Sequence, residues 1–300
     1  MPESSSSPKP TLRLPENPAI EAYKDQNRWA HLIEISVGLT PKRKLIVESL
    51  MTRPWFQRTS KELQLELAQL PQQGRENHDG FLADLAGRPD KMGGIEVLEL
   101  AKLPRGNFAL IPTFKVKNEK GDEYTYEYVS WRYGPNSGAK GIVFIENGGK
   151  ISHFVVLRGE KFATGQKESD SVGGFIDLNV DGIKTVLQRI DREIKEELGV
   201  SDLKIKAVYD LGEVLPDAGM TNNKPRIFAA VINADEAQRV SGSPLNLDKY
   251  ELRAGVVIIP ISQLGKTTTI NNDSFFLSAV ARSAAYGIID VKHLRNSSQA

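Results

Sequence analysis

The most informative residues for chemistry are three glutamates in the segment 192–200, which reads REIKEELGV. Glu193, Glu196 and Glu197 stand at positions i, i+3 and i+4, so in a helix they share one face. Like charges at this spacing repel one another, and a bound cation would remove the repulsion. Carboxylate oxygens suit Mg²⁺ or Mn²⁺, and the chain has no cysteine as a soft ligand. The alternative is a solvated helix face held by ion pairs such as Arg192 with Glu196.

A helix over about residues 182–198 must position these glutamates. Apolar residues recur beside them at helical spacing, at Ile183, Leu187, Ile190, Ile194 and Leu198. This stripe predicts that the helix packs on a hydrophobic core and leaves its acidic edge at the border with solvent.

The segment resembles the signature of the Nudix hydrolases, G-x(5)-E-x(7)-R-E-U-x-E-E-x-G-U, in which U is aliphatic. The last nine positions match in full, and Gly173-Gly174 correspond to the glycines at the start. The interval from Gly174 to Arg192 is four residues longer than in the pattern. Lys184 or Val180 stands where the pattern has its first glutamate, depending on the end from which one counts, and Asp177 or Asp181 is the candidate substitute.

A second resemblance is to the ADP-ribose pyrophosphatases of this family. The segment 211–221, LGEVLPDAGMT, carries Pro216 sixteen residues after Val200, as in that subfamily. The subfamily usually has an acidic residue soon after the glycine of this segment, where this chain has Asn222-Asn223-Lys224. A strand, turn and strand over 114–129 and a closing strand and helix after 256 complete the likeness, which covers about residues 105–290.

The resemblance implies hydrolysis, dependent on Mg²⁺ or Mn²⁺, of a nucleoside diphosphate linked to another moiety, ADP-ribose or a nucleotide sugar, with release of a nucleoside monophosphate. The implied metal ligands are Glu193, Glu196 and Glu197. The implied catalytic residues are Glu196, Glu197, the orienting Arg192, and Glu251 or Asp248 as general base. The candidate substrate-binding residues are Gly173, Gly174, Arg158, Pro216 and Gly219.

Composition limits the partners. The 300 residues include 39 basic and 38 acidic side chains, so the net charge of +1 argues against a nucleic acid or an anionic membrane as partner. The absence of cysteine and of a long apolar run predicts a cytoplasmic protein without disulfides. The expected partner is a small nucleotide substrate, and the subfamily resemblance implies a homodimer.

The predicted fold class is α/β (α+β), a three-layer α/β/α sandwich with a mixed sheet, preceded by a small helical region. Strands are predicted before the central helix over 108–116, 124–133, 141–146 and 154–157, with a turn at Asn147-Gly148-Gly149. Strands over 207–214, 227–232 and 256–261 and a closing helix over 274–286 are predicted after it, and this order supports the sandwich. The predicted organisation is a disordered tail (1–18), a helical N-terminal region (19–95), a β-hairpin extension (96–137), a Nudix domain (138–290) and a C-terminal tail (291–300).

Two interpretations of function stay open. The first is the enzyme described above. The second is a catalytically weak or inactive Nudix domain that acts as a nucleotide-ligand sensor or as an interaction module with the N-terminal helices. The missing first glutamate and the longer loop favour the second, and the complete R-E-x-x-E-E favours the first.

Overall fold

The computed structural model describes residues 26–174, 186–241 and 254–295. The helices are α1 Gln26–Ile35, α2 Pro41–Met51, α3 Pro54–Arg58, α4 Lys61–Gln69, α5 Asp79–Gly87, α6 Val186–Glu197, α7 Ala234–Ser241, α8 Leu264–Ile270 and α9 Ser274–Ala285. The strands are β1 Lys91–Met92, β2 Ile95–Lys102, β3 Ala109–Leu110, β4 Thr113–Lys117, β5 Glu123–Glu127, β6 Ser130–Trp131, β7 Ala139–Asn147, β8 Lys150–Lys161, β9 Gln166–Asp170, β10 Ile205–Glu213, β11 Arg226–Asn233 and β12 Ala254–Pro260.

The second half of the chain is built on a mixed sheet with the order β10-β11-β7-β8-β12, and β9 pairs with β8. The pair β11 and β7 is parallel, and the other pairs are antiparallel. Buried side chains of α6 pack on one face of the sheet, and those of α9 pack on the other. The predicted α+β sandwich is thereby confirmed.

A tight turn explains how β7 and β8 pair. Gly148 and Gly149 both have positive φ, at 58° and 78°, between Asn147 and Lys150, which face each other in the ladder. Two such residues in succession are what a two-residue hairpin turn of the type I′ kind requires. The predicted turn at Asn147-Gly148-Gly149 is therefore confirmed.

The first half of the chain has its own core. The helices α1 to α5 pack against the sheet β1-β2-β4-β5, and one cluster of buried apolar residues extends from Trp29 to Tyr128. Trp55 of α3 meets Phe114 of β4 edge to face, with ring centroids 5.3 Å apart. The helical region and the hairpin extension thus share a core, while the boundaries between the predicted domains stay predictions.

A buried ion pair fixes the helices of this module. The Arg43 guanidinium is fully buried, and its Nε donates to Asp79 Oδ1 at 2.7 Å. The other guanidinium nitrogens donate to the backbone carbonyls of Ala68, Leu70 and Pro71. Arg43 therefore ties α2 to α5 and to the end of α4.

Several predictions need correction. The strand predicted from Phe108 to Val116 is interrupted at 111–112, where Pro112 has no N–H to donate. The strand predicted over 124–133 is broken at 128–129, and β2, α7 and α8 were not predicted. Leu187 is 52% exposed and does not join the buried stripe of α6. Within the described ranges, none of the helices has the length and apolar character needed to cross a membrane.

Candidate active site

The helix α6 is anchored by its apolar side and ended by a glycine. Ile190, Ile194 and Leu198 are fully buried against the sheet. Gly199 has φ +70°, its N–H donates to the carbonyl of Glu196, and the N–H of Val200 donates to the carbonyl of Lys195. This is a Schellman cap, which glycine accommodates without a Cβ clash. The glycine of the motif therefore has a structural role, and the anchored helix fixes the direction of the glutamates.

Two of the three glutamates face the same glycine. A Cβ built on Gly174 would lie 2.9 Å from Glu193 Oε2 and 3.9 Å from Glu197 Oε1. Any side chain at position 174 would therefore fill the space beside these carboxylates. The structure thus brings Glu193, Glu197 and Gly174 together.

Gly173 is required by its backbone. Its φ is +119°, and a Cβ there would lie 2.2 Å from the carbonyl oxygen of Ala139. The neighbouring Gly174 carbonyl accepts a hydrogen bond from the Ala139 N–H at 3.1 Å. Gly173 thus lets the chain pass tightly along β7 and brings Gly174 to the glutamates.

Glu193 is electrostatically unfavourable as a bare carboxylate. Burial, followed by the charges of Glu196 and Glu197, raises its pKa to about 8, against the smaller opposing effects of Lys140 and Arg192. A raised carboxyl pKa means that the surroundings favour the neutral form or a cation beside it. The site is therefore short of positive charge.

Glu196 has a different environment. Its Oε1 accepts a hydrogen bond from Arg192 Nε at 2.7 Å. More than two-fifths of each of these two side chains is exposed to solvent. This is the i,i+4 pair that the surface-helix interpretation predicted. Arg192 therefore holds Glu196 at the rim, while Glu193 and Glu197 lie at Gly174.

A second group of charges lies beside the glutamates. Lys161 Nζ is 2.5 Å from Asp170 Oδ2, and Lys140 Nζ is 4.0 Å from the same oxygen. The backbone N–H of Ser171 donates to Asp170 at 2.9 Å and to Asp273 at 2.7 Å. Asp273 also caps α9 by accepting from the Phe275 N–H. This group joins the ends of β7, β8 and β9 to the start of α9.

The two aspartates of this group titrate in opposite directions. Burial raises the pKa of Asp170, but Lys140, the hydrogen bond with Asp273 and Lys161 outweigh it and hold that pKa at about 2. Burial and the neighbouring Asp170 raise the pKa of Asp273. The pKa of Lys161 is raised, because Asp170, Glu197 and Asp273 outweigh the effect of its burial. Lys161 therefore stays protonated between the aspartates and Glu197.

Sequence reasoning missed this second group. Asp273 could have been predicted as a helix cap from its place before Ser274 and an apolar helix. Its approach to Asp170 depends on the tertiary fold, and no local pattern carries it.

The remaining predicted site residues are dispersed. On β8, Val155 and Leu157 pack towards α6, whereas Phe154 and Val156 pack towards α9. Because side chains alternate along a strand, Arg158 belongs to the face opposite α6. Glu251, the alternative base Asp248 and the candidate substitutes Asp177 and Asp181 lie outside the described residues, as does Lys184.

The predicted substrate loop is docked on the N-terminal module. Pro216 and Gly219 are exposed. The Gly219 N–H donates to Asp217 Oδ1 at 2.9 Å, and the Met220 carbonyl accepts from the Val129 N–H at 2.8 Å. The hydrogen bonds of this loop therefore run to the segment 126–131 rather than along the loop alone.

The donor set at Gly174 fits a divalent metal ion. Two carboxylates meet at a position without a side chain, and Glu193 is destabilised as an anion. In the part of the chain that the structure describes, no three His, Cys, Asp or Glu side chains form a complete metal cluster. Two carboxylates are enough for Mg²⁺, which keeps several of its waters and takes further oxygens from substrate phosphates.

Comparison with known proteins does not identify a family for this chain. No protein-family model matches the chain, and no curated protein matches it. A solved structure described as an ADP compounds hydrolase aligns with a TM-score of 0.48 and 16% sequence identity, over 65% of this chain and 95% of that chain. A likeness this weak carries no information on activity.

Proposed function

We propose that the chain is a Nudix-type hydrolase that uses Mg²⁺ or Mn²⁺ to cleave the diphosphate of ADP-ribose or a nucleotide sugar and releases a nucleoside monophosphate. The observation that carries the proposal is the meeting of Glu193 and Glu197 at Gly174, within a helix that matches the last nine positions of the signature. The raised pKa of Glu193 supports a cation at this place.

Each residue of the site has a physical task. Glu193 and Glu197 would hold the metal ion, and Glu196 could join them through the carboxylate oxygen that Arg192 does not hold. A bound Mg²⁺ supplies Lewis-acid stabilisation of phosphoryl oxygens and a lowered pKa for an attacking water. Gly174 leaves room for a diphosphate to approach the backbone, and Gly173 places it there by packing closely against Ala139.

Two lysines extend the site beyond the metal ligands. The positive charge of Lys140 opposes the rise in the pKa of Glu193. The negative charge of Glu197 helps to raise the pKa of Lys161. Both ammonium groups could donate to phosphate oxygens, as point charges rather than bidentate forks. We propose that they neutralise part of the substrate's charge while Asp170 and Asp273 hold them in place.

We propose that other segments contact the parts of the substrate outside the diphosphate. Glu251 stays the proposed general base, and Pro216 and Gly219 stay proposed substrate contacts. Arg158 is left out of the proposed site because strand alternation puts it on the opposite face of the sheet.

The test is a product assay. The protein is incubated with Mg²⁺ and ADP-ribose, nucleotide sugars and other nucleoside diphosphate derivatives, and the release of nucleoside monophosphate is measured. We expect turnover that is abolished by a chelator and reduced at least about 100-fold by Glu197→Gln. The matched control is Asp191→Asn, which changes a carboxylate of the same helix that pairs with Lys195 at 2.7 Å. Equal turnover in Glu197→Gln and wild type would overturn the assignment.

A second candidate function is a ligand sensor without efficient catalysis. It is favoured by the bond from Asn222 Nδ2 to Asp84 Oδ2 at 2.9 Å, which ties the predicted substrate loop to α5 of the N-terminal module. Tight binding of a nucleotide without product from any substrate would support the sensor and refute the enzyme. The homodimer and the cytoplasmic location stay predictions.

A further inference from the structure

One face of the helix α5 docks on two connecting segments of the second half of the chain. Gly80 and Asp84 stand four residues apart on α5, so they share a face of the helix. A Cβ built on Gly80 would lie 1.7 Å from the carbonyl oxygen of Tyr133, so the helix backbone touches that segment directly. Asp84 Oδ2 accepts a hydrogen bond from Asn222 Nδ2 at 2.9 Å. The same face therefore contacts the segment 133–134 and the loop 214–225, which connects β10 to β11.

The loop 214–225 is held on the segment 129–131 by hydrogen bonds. The Val129 N–H donates to the Met220 carbonyl at 2.8 Å, and the Val129 carbonyl accepts from Thr221 Oγ1 at 2.8 Å. The Trp131 N–H donates to Asn223 Oδ1 at 2.9 Å. These bonds join two connecting segments to each other. The bond between Asn222 and Asp84 then joins both segments to a helix that is anchored in the N-terminal core.

The loop ends beside the candidate metal site. The Arg226 N–H, at the start of β11, donates to the Gly138 carbonyl at 2.8 Å, and Arg226 stands opposite Ala139 in the parallel ladder. The Ala139 N–H in turn donates to the carbonyl of Gly174, where two glutamates of α6 meet. The loop 214–225 therefore enters the sheet at the end of β7 that contacts Gly174.

Asp84 is well placed to hold this loop. Its side chain is 20% exposed, and the oxygen that binds Asn222 also accepts from Arg88 Nε at 3.0 Å. The Arg88 guanidinium lies 4.2 Å from the centroid of the buried Tyr128 ring, which limits its movement. A hydrogen bond to an ionised acceptor is roughly twice as strong as one between neutral groups. Arg88 thus orients the carboxylate, and the carboxylate holds the loop.

We infer that Asp84 is a positioning residue for the substrate. By holding Asn222 it fixes the loop 214–225, and the fixed loop sets the affinity for the part of the substrate outside the diphosphate. This inference rests on the proposed function, which assigns Pro216 and Gly219 of the loop to the substrate. The N-terminal module is then a working part of the binding site.

The first measurement is amide hydrogen exchange of the full chain without nucleotide. Asp84→Ala should speed the exchange of the loop amides at least about tenfold, because one hydrogen bond to a charged group is lost. Asn222→Ala removes the same bond from the other side, so it should give the same increase, and the double variant should add nothing further. The matched control is Glu66→Ala, which removes a carboxylate of α4 that pairs with Arg105 at 3.8 Å. The control should leave the loop at the wild-type rate.

The second measurement is turnover of ADP-ribose with Mg²⁺. Asp84→Ala should raise KM about tenfold and change kcat by less than about twofold, because contacts outside the reacting diphosphate bind substrate and transition state alike. A loss of folded protein would instead lower kcat and leave KM unchanged. Asp84→Asn keeps an acceptor oxygen for Asn222 and should restore most of the affinity.

The outcomes separate this inference from the proposed function. Loop exchange at the wild-type rate in Asp84→Ala, or faster exchange with an unchanged KM, would overturn the inference, while turnover by the wild type would still support the enzyme. Absence of turnover by the wild type would refute the enzyme, and the comparison is then made on the Kd of ADP-ribose measured by calorimetry. A Kd raised about tenfold in Asp84→Ala would support the inference. An equal Kd in both proteins, or no binding by either, would overturn it.

Discussion

Glu193→Gln should stabilise the metal-free protein at alkaline pH. The folded state holds Glu193 where burial and two neighbouring glutamates raise its pKa to about 8, from an ordinary value of 4.5. The unfolded chain releases that proton at a much lower pH than the folded chain does. The folded protein therefore loses stability as the pH rises between these two values. Glutamine reproduces the neutral acid and removes the loss.

The magnitude follows from the same two pKa values. The interval from 4.5 to about 8 corresponds to roughly 5 kcal/mol of unfolding free energy as an upper limit. The carboxylate is only partly enclosed, and solvent screening reduces this to about 2 kcal/mol. For a chain of 300 residues, this predicts a Tm about 3 °C higher in the variant above pH ~8, and no difference near pH ~4.5.

The assay is thermal unfolding in a chelator at both pH values. Asp191→Asn is the matched control, since it removes a carboxylate of α6 that has a lysine partner, and it should shift Tm by no more than about 1 °C. A Glu193→Gln protein that is less stable than the wild type at alkaline pH would refute the electrostatic reasoning. A stabilisation that is equal at both pH values would refute the role of ionisation.

Three further predictions follow from the contacts. Gly173→Ala should lower the unfolding free energy measured in urea by about 3 kcal/mol or more, because its Cβ would lie 2.2 Å from the Ala139 carbonyl oxygen at φ +119°. The control Gly255→Ala, which has open space around the new Cβ, should change that free energy by less than about 1 kcal/mol. Equal effects of the two substitutions would contradict the clash. Asp79→Ala should lower the unfolding free energy by about 3 to 5 kcal/mol, since it leaves the buried Arg43 charge without a carboxylate. A loss below about 1 kcal/mol would show that the backbone carbonyls suffice to stabilise the Arg43 guanidinium. Mg²⁺ at about 100 times its Kd should raise the unfolding free energy of the wild type by about 2.7 kcal/mol. The Glu193→Gln variant should show no such gain. An equal gain in both proteins would mean that the ion binds elsewhere.

The elements with regular patterns could be predicted from the sequence. Strands β7, β8 and β11 are buried runs of branched and aromatic residues, and the stripe of α6 repeats at helical spacing. Strand β2 was missed because its pairing with β4 shifts register twice, between Val97 and Glu99 and between Leu100 and Lys102. Such irregularities interrupt the alternation on which strand prediction depends.

The site was predictable only where it is local. Glu193 and Glu197 lie on one helix, so their shared direction follows from spacing alone. Their meeting with Gly174, the group around Asp170 and Asp273, and the docking of Asn222 on Asp84 join segments distant in sequence, and only the folded chain shows them. By contrast, the ion pair between Arg192 and Glu196 is local, because the two residues stand four apart on α6.

The most direct test of the account is Mn²⁺ binding measured by electron paramagnetic resonance, in which protein-bound Mn²⁺ loses the signal of the free ion. Wild type and Asp191→Asn should bind Mn²⁺ with equal affinity, and a Glu193→Gln, Glu197→Gln double variant should bind at least about tenfold more weakly. Equal affinity in all three proteins would contradict the central claim that these two glutamates hold the catalytic metal ion.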